Sequence, residues 1–358
     1  MAKLPISVCI IAKNEEKYIE TCLKHLGKYN WEIVVVDTGS TDRTKEIAMR
    51  YTGKVYDFAW VNDFSAARNF AVSKASNNWI LVLDCDEYLQ KLNVNEIRKC
   101  MQQNNNCVGI IRLRNVYTLS DGSHQYQYDT VPRFYNKNFF EYKFRIHEQI
   151  TPKNATNLEE VVLYTFEVPA EVDHYGYDIP KEEMLKKQER NLALLEESIG
   201  DGHMDDYLLF QIGQSNFVLE RYAQAAEAYD KCFALNTNME KNFMPVALNS
   251  YAETLLRLGM DAQACALLTA HEAYLTTANH QYLYGKAVQG SGDELRALLI
   301  FIKLTRMSDF ESLGEDVFDV YGRLLYLCET TGNQNKKDYF RQELLKYAEA
   351  HGRTIVFQ

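Results

Sequence analysis

The 358-residue sequence predicts two domains: a Rossmann-like α/β domain with a mostly parallel sheet over residues 1–180, and an all-α helical repeat domain over residues 181–358. Three observations carry this reading. Apolar runs alternate with helical patterns through roughly the first 90 residues, the composition changes beyond Pro180, and small residues recur downstream at a nearly fixed interval. A chain of this length is long for one core, and about two domains are the ordinary expectation.

Ile6-Ser7-Val8-Cys9-Ile10-Ile11-Ala12 reads as a buried strand because it is apolar almost without interruption. Lys13-Asn14-Glu15-Glu16 ends it, and Ile19, Leu23 and Leu26 at helical spacing open a helix. A second strand, residues 31–36, closes on Asp37-Thr38-Gly39-Ser40-Thr41-Asp42, whose glycine and N-cap residue types introduce a helix over 43–51. A third strand over 54–58 and a helix near 65–75 lead into Trp79-Ile80-Leu81-Val82-Leu83, which runs out at Asp84. Strand and helix in this order argue a parallel sheet with helices on both faces. Ligands in open sheets of this kind sit at the carboxyl ends of the strands, so Asn14, Asp37 and Asp84 are expected on one edge.

Asp84-Cys85-Asp86 is the most informative tripeptide. Residues i and i+2 of an extended chain point the same way, and two carboxylates held close repel unless a positive group lies between them. Mg²⁺ or Mn²⁺ carrying a phosphate is one such partner, since hard cations take oxygen ligands and share them with substrate phosphates. Acids at strand ends also serve as plain loop starts and helix caps, and Cys85 alone reads as a small strand residue.

Four ordered motifs go further: Val8-Cys9-Ile10-Ile11-Ala12-Lys13-Asn14-Glu15, Val35-Val36-Asp37-Thr38-Gly39-Ser40-Thr41-Asp42, Ala67-Arg68-Asn69 and Leu83-Asp84-Cys85-Asp86. Together they resemble the family 2 glycosyltransferases with a GT-A fold. The resemblance implies that Asp37 binds the uracil or ribose of a nucleotide-sugar, UDP-linked by preference, and that Asp84 and Asp86 hold the nucleotide and its Mg²⁺ or Mn²⁺. It places Ala12, Asn14, Glu15, Arg68 and Cys85 in the same donor-binding set. Many members carry a second acid after the aspartate at 37, where this chain has Thr38. Each residue has a plainer role open to it: Asp37 as a helix cap, Asn14 and Glu15 as a strand-to-helix junction, Arg68 as the partner of an acid instead of a diphosphate.

Phe144-Arg145-Ile146-His147-Glu148-Gln149-Ile150 is a short apolar alternation carrying a His-Glu pair, and Val172-Asp173-His174-Tyr175-Gly176-Tyr177 follows another apolar stretch. These resemble a narrower group with appended helical repeats, typified by the bacterial sublancin-type peptide S-glycosyltransferases. The likeness implies His174 as a third metal ligand, a neutral imidazole being suited to Mn²⁺. It implies Glu148 or His147 as the base that takes the acceptor's proton during an inverting displacement. Packing is the plain alternative for both histidines.

Beyond Pro180 a helix is expected over 181–198, and then self-similarity emerges. Leu209, Ile212 and Gly213 with Ala225 and Tyr229 reproduce the small-residue and aromatic spacing of a tetratricopeptide unit. Leu248, Tyr251 and Ala252 precede Ala264 and Leu268; Tyr284 and Gly285 precede Ala297 and Phe301; Tyr321 and Gly322 begin a looser copy. Gly213, Ala252, Gly285 and Gly322 are 39, 33 and 37 positions apart, near the ~34-residue period of such repeats. An irregular helical bundle is the alternative. Tyrosines on a concave face would suit a peptide acceptor.

Between the two, residues 93–103 read as a helix, and 108–119 and 126–135 as strands joined by Ser120-Asp121-Gly122-Ser123. Tyr117, Tyr126, Tyr128 and Phe134 suit either the core or an acceptor surface. The formal charge of −10 argues against nucleic acid as a partner. No apolar run reaches the ~18 residues of a membrane span, and a cytoplasmic location is expected. The eight cysteines are scattered without a Cys-x-x-Cys pair, which suggests buried thiols. The sequence leaves open a homo-oligomer, a GT-A-like nucleotidyltransferase that attacks phosphorus, and a non-catalytic scaffold with a vestigial transferase domain.

Overall fold

A computed structural model describes residues 4–118, 122–155, 162–176, 179–200, 204–235 and 238–356. Ser120 and Asp121 of the expected turn, and Tyr177, lie outside the described residues. The chain divides into two compact units, Met1–Lys187 and Gln188–Gln358.

The first unit runs β1 (Ile6–Ala12), α1 (Ile19–Leu26), β2 (Glu32–Asp37), α2 (Thr44–Met49), β3 (Val55–Asp57), α3 (Phe64–Lys74), β4 (Trp79–Val82), β5 (Glu87–Leu92), α4 (Val94–Gln103), β6 (Val108–Thr118), β7 (His124–Asn136), β8 (Phe140–Lys143), β9 (Gln149–Pro152) and β10 (Thr165–His174). Eight strands form one sheet in the order β3-β2-β1-β4-β7-β6-β10-β5, while β8 and β9 pair as a separate hairpin. The first four strands are parallel, with Ala12 level with Asp37 and Asp37 level with Asp57. β7 joins β4 antiparallel, β6 folds back on β7, and β10 lies parallel to β6 and antiparallel to β5. β1 and β4 are buried along nearly their whole length, because both faces of the sheet are covered. Ile19, Leu23 and Leu26 of α1, Ile47 of α2 and Ile97 of α4 pack on one face. Ala71 and Val72 of α3, with Phe140, Tyr142 and Ile150, pack on the other.

Two expectations need correction. β5 was not anticipated, because Glu87-Tyr88-Leu89-Gln90-Lys91-Leu92 lacks the apolar run of a central strand and lies at the sheet edge. The alternation at 144–148 is not a strand: Phe144 and His147 adopt φ of 74° and 51°, left-handed values that a ladder does not tolerate, and β9 starts only at Gln149.

α5 (Lys181–Gly200) leads along the chain to α6 (Asp206–Val218), α7 (Tyr222–Leu235), α8 (Met244–Arg257), α9 (Asp261–Ala270), α10 (Ala278–Gly290), α11 (Glu294–Leu304), α12 (Asp316–Thr330) and α13 (Gln334–Ala350). The last eight form four successive helix pairs around one apolar core, a tetratricopeptide-like arrangement. The small residues identified in the sequence do the work expected in two of the pairs. A Cβ on Gly213 would lie 2.4 Å from the Tyr229 ring, and one on Gly285 would lie 2.6 Å from the Phe301 ring. Gly322 differs, with nothing within 4 Å of its Cβ position. Among the described residues no helix is long and apolar enough to cross a membrane.

Substitution of Gly285 by alanine is therefore expected to destabilise the second unit by about 1–3 kcal/mol through overpacking. Gly322→Ala, in a helix interior with open space, is expected to stabilise it by up to about 1 kcal/mol. Urea unfolding of the two variants checks the contrast.

Candidate active site

The parallel half of the sheet brings the first motifs to one edge. Asn14 follows β1 in a left-handed conformation, φ 58°, which asparagine tolerates better than most side chains. Its Oδ1 accepts from Thr41 N at 2.8 Å, its own N–H donates to Ser40 Oγ at 3.0 Å, and Glu15 N–H donates to Thr44 Oγ1 at 2.7 Å. The loops after β1 and β2 are thus clamped together. Asp37 ends β2 in a turn, its Oδ2 accepting from Gly39 N at 3.3 Å and Ser40 N at 3.1 Å. The residue is 5% exposed, and among the described residues its buried Oδ1 has no hydrogen-bond partner. A buried carboxylate oxygen is costly to leave unpaired, so it marks a place for a donor from a ligand or water.

The acids after β4 do not lie on an extended chain. Glu87 N–H donates to Asp84 O at 3.1 Å, closing a turn across Cys85 and Asp86. Asp84 Oδ1 accepts from Arg68 Nη2 at 2.9 Å and Oδ2 from Arg133 Nη2 at 2.8 Å. Arg133 Nη2 also donates to Glu87 Oε1 at 2.6 Å, and Arg68 Nε to Glu148 Oε1 at 2.5 Å. Burial pushes the Asp84 carboxyl up, but the two guanidiniums outweigh it and hold the group below the ordinary carboxylate range. Glu87, 1% exposed, is pushed up to about 7: burial and the nearby Asp84 and Asp86 outweigh Arg133.

Asp86 faces His174. Its Oδ2 lies 3.7 Å from His174 Nε2, too long for a hydrogen bond. His174 Nδ1 lies 2.7 Å from Asn115 Oδ1, and Asn115 Nδ2 donates to Asp129 Oδ2 at 2.7 Å. A Cβ on Gly176 would fall 2.4 Å from both Asp86 Oδ2 and His174 Nε2, so only glycine leaves the space between them open. Burial pushes the His174 imidazole down, towards its neutral form. Glu15 is pushed up to about 7 by burial first, then by Asp86 and Asp84.

This pair fits a divalent cation. Two donors that share a hard cation at ~2.0–2.2 Å lie ~3–4 Å apart, and a carboxylate with a neutral imidazole is a donor set for Mn²⁺. Among the described residues no three His, Cys, Asp or Glu side chains converge as a cation cage. Of the expected trio, Asp86 and His174 face each other, while both oxygens of Asp84 accept from arginine.

Other expected residues fall as follows. Arg68 is 6% exposed and pairs with Asp84 and Glu148, while its buried Nη1 has no hydrogen-bond partner among the described residues. The Cys85 thiol is buried, 3.7 Å from Ile11 O, and the Ala12 side chain is in the core; neither side chain faces the edge. Glu148 is half-buried on the strained loop, and burial pushes the His147 imidazole down. Asp63 caps α3 through Ala66 N at 2.8 Å. Arg133, Asn115 and Asp129 escaped the sequence reading, and Gly176 entered it only as part of the motif around His174. The signal for Asn115 was a lone polar side chain alternating with Ile111, Leu113 and Tyr117 in β6; Arg133 alternates with Asp129 and Gln127 in β7 and carried no such signal.

Residues 7–161 match the family model described as glycosyl transferase family 2. Over 216 residues the chain is 31% identical to a TPR repeat-containing protein of Synechococcus elongatus, covering 59% of this chain and 52% of that protein. Over 231 residues it is 29% identical to the SPbeta prophage-derived glycosyltransferase SunS of Bacillus subtilis, covering 63% and 53%. Over 162 residues it is 28% identical to the lipopolysaccharide core biosynthesis glycosyltransferase LpsC of Rhizobium meliloti, covering 42% and 58%. The chain spans about half the length of the curated relatives it matches.

The raised carboxyl of Glu15 sets a pH dependence. A carboxyl whose folded value lies above its unfolded value of ~4.3 contributes stability that is complete below that value and is lost as pH rises through about 7. In metal-free protein the melting temperature is expected to fall from pH 5 to pH 8, and Glu15→Gln to reduce that fall while changing little at pH 5. Calorimetric scans at the two pH values check it.

Proposed function

We propose that this chain, a family 2 glycosyltransferase domain followed by tetratricopeptide-like helical repeats, moves a sugar from a UDP-linked or similar nucleotide donor to a polypeptide or other cytosolic acceptor, with inversion. The reading is supported by two separate observations: Asp86 and His174 face each other, and the buried Oδ1 of Asp37, at the end of β2, has no partner among the described residues. Asp37 Oδ1 offers a buried acceptor, which the imide N–H of uracil or a ribose hydroxyl would fill. Asp86 and His174 would hold Mg²⁺ or Mn²⁺, which when bound stabilises the negative charge that grows on the departing diphosphate.

The remaining roles belong to the chain's own groups. The acceptor atom attacks the anomeric carbon, its proton passes to Glu148, and the bond to the nucleoside diphosphate breaks. Arg68 holds one oxygen of Glu148 at 2.5 Å, leaving Oε2 for that proton, so Arg68 acts as a positioning residue between Glu148 and Asp84. His147, half-buried and held towards its neutral form by desolvation, is the second candidate for the proton. In the second unit a cavity of about 660 Å³ lined by Glu253, Arg257, Lys286, Gln289 and Arg323 supports a peptide acceptor with charged side chains. The name of LpsC points instead to a saccharide acceptor.

Two substitutions separate chemistry from folding. Asp86→Ala is expected to abolish turnover with the melting temperature unchanged or higher, since burial and Asp84 already disfavour its charge. Asp84→Ala takes one of two carboxylate partners from each of two buried guanidiniums and is expected to cost about 3–5 kcal/mol of stability. Product analysis with a panel of UDP-sugars tests the reaction class: nucleoside diphosphate supports it, and pyrophosphate would mean a nucleotidyltransferase. Full turnover by Asp86→Ala would discard the cation site.

A further inference from the structure

The amide of Asn115, 1% exposed, is held between a carboxylate and an imidazole. β6 sets it level with His174 of β10 on one side and Gln127 of β7 on the other. Its Nδ2 donates to Asp129 Oδ2 at 2.7 Å, and its Oδ1 lies 2.7 Å from His174 Nδ1. An ionised carboxylate only accepts, so Asp129 fixes which end of the amide faces it, and the oxygen is left towards the ring. An amide oxygen also only accepts. The proton shared between Oδ1 and Nδ1 must therefore belong to Nδ1, which makes Nε2 the lone-pair nitrogen of the neutral ring. Nε2 is the atom 3.7 Å from Asp86 Oδ2 and 2.4 Å from the Cβ position that Gly176 leaves vacant.

We propose that Asn115, oriented by Asp129, is a positioning residue that holds His174 in the Nδ1–H form and so presents Nε2 for cation binding opposite Asp86. The inference rests on Asp86 and His174 forming the cation site and assigns the residues that prepare it. Outer partners of this kind fix a ligating imidazole's tautomer, and their loss weakens metal affinity by about 10–100-fold. Removing Asn115 takes away the amide oxygen that holds the proton on Nδ1, and the other tautomer is expected to become populated.

The test uses metal-free, ¹⁵N-histidine-labelled protein at pH 8, where an ordinary imidazole is neutral. The wild-type spectrum is expected to show His174 protonated on Nδ1; protonation on Nε2 overturns the proposal. Asn115→Leu is expected to mix the tautomers and to raise the dissociation constant for Mn²⁺ alone about 10–100-fold, read from the free-ion electron paramagnetic resonance signal. An unchanged tautomer or an unchanged Mn²⁺ affinity overturns it. Asp129→Asn, at an exposed position, frees the amide to turn over and carries the same test should the leucine variant fail to fold. His174→Ala distinguishes the two levels. If it abolishes Mn²⁺ binding while wild-type His174 is protonated on Nε2, the cation site stands and the role of Asn115 falls. If Mn²⁺ binding is indifferent to His174→Ala while the ring is in the Nδ1–H form, the cation site falls and takes the role of Asn115 with it.

Discussion

Two buried guanidiniums govern this site. Arg68 from α3 and Arg133 from β7 each donate to a different oxygen of Asp84 and then to a second acid, Glu148 and Glu87 respectively. An arginine cannot give up its charge when buried, so the carboxylates around it are a requirement of folding before they are anything else. The consequence is a division of labour among acids that look equivalent in the sequence. Asp84 is kept ionised by two cations. Glu87 and Glu15 are driven towards the protonated form, both pushed up to about 7. Asp86, its carboxyl pushed up by burial and by Asp84, faces an imidazole, and among the described residues no guanidinium pairs with it.

The sheet's mixed topology explains why the parts of the site come from such distant stretches of chain. The parallel half delivers Asn14, Asp37 and Asp84 to its carboxyl edge, as open α/β sheets generally do. The antiparallel half supplies the rest: β7 brings Arg133 beside β4, and β6 places Asn115 against β10, where His174 stands. β6 and β10 run in the same direction as β1 and β4, so His174, the last residue of β10, is itself a strand end, while β7 runs the other way between β4 and β6.

That contrast also sets what was legible in the sequence. The parallel strands, their helices and the four helix pairs were readable because each follows a strong local signal: an unbroken apolar run, an N-cap cluster, or a glycine facing an aromatic ring. The motif acids were readable as types of residue. Their directions were not, since the turn at Asp84 is closed by Glu87 and held by Arg133, 46 residues farther along. The same limit hid Asn115 and Asp129, whose role exists only through pairing between β6, β7 and β10. Local patterning encodes which residues lie at an edge; side-chain direction there is set by non-local bonds.

The segment from Tyr142 to Glu148 is the clearest case, and it explains the Ala67-Arg68-Asn69 motif. Phe144 and His147 are in left-handed conformations, each strained by about 1–3 kcal/mol. α3 holds the segment in place at five points. Phe64 N–H donates to Arg145 O at 2.7 Å, Ser65 Oγ to Phe144 O at 2.5 Å, and Arg68 to Glu148. Asn69 makes two bonds to the backbone of Tyr142, at 2.8 and 3.0 Å. At about 0.5–1.5 kcal/mol each, these anchors are of the size needed to offset the strain. Glu148 is thereby fixed before any ligand arrives, on the same guanidinium that fixes Asp84. The motif's arginine and asparagine hold this loop, and α3 serves as the rigid element that keeps Glu148 and the end of β4 at a constant separation.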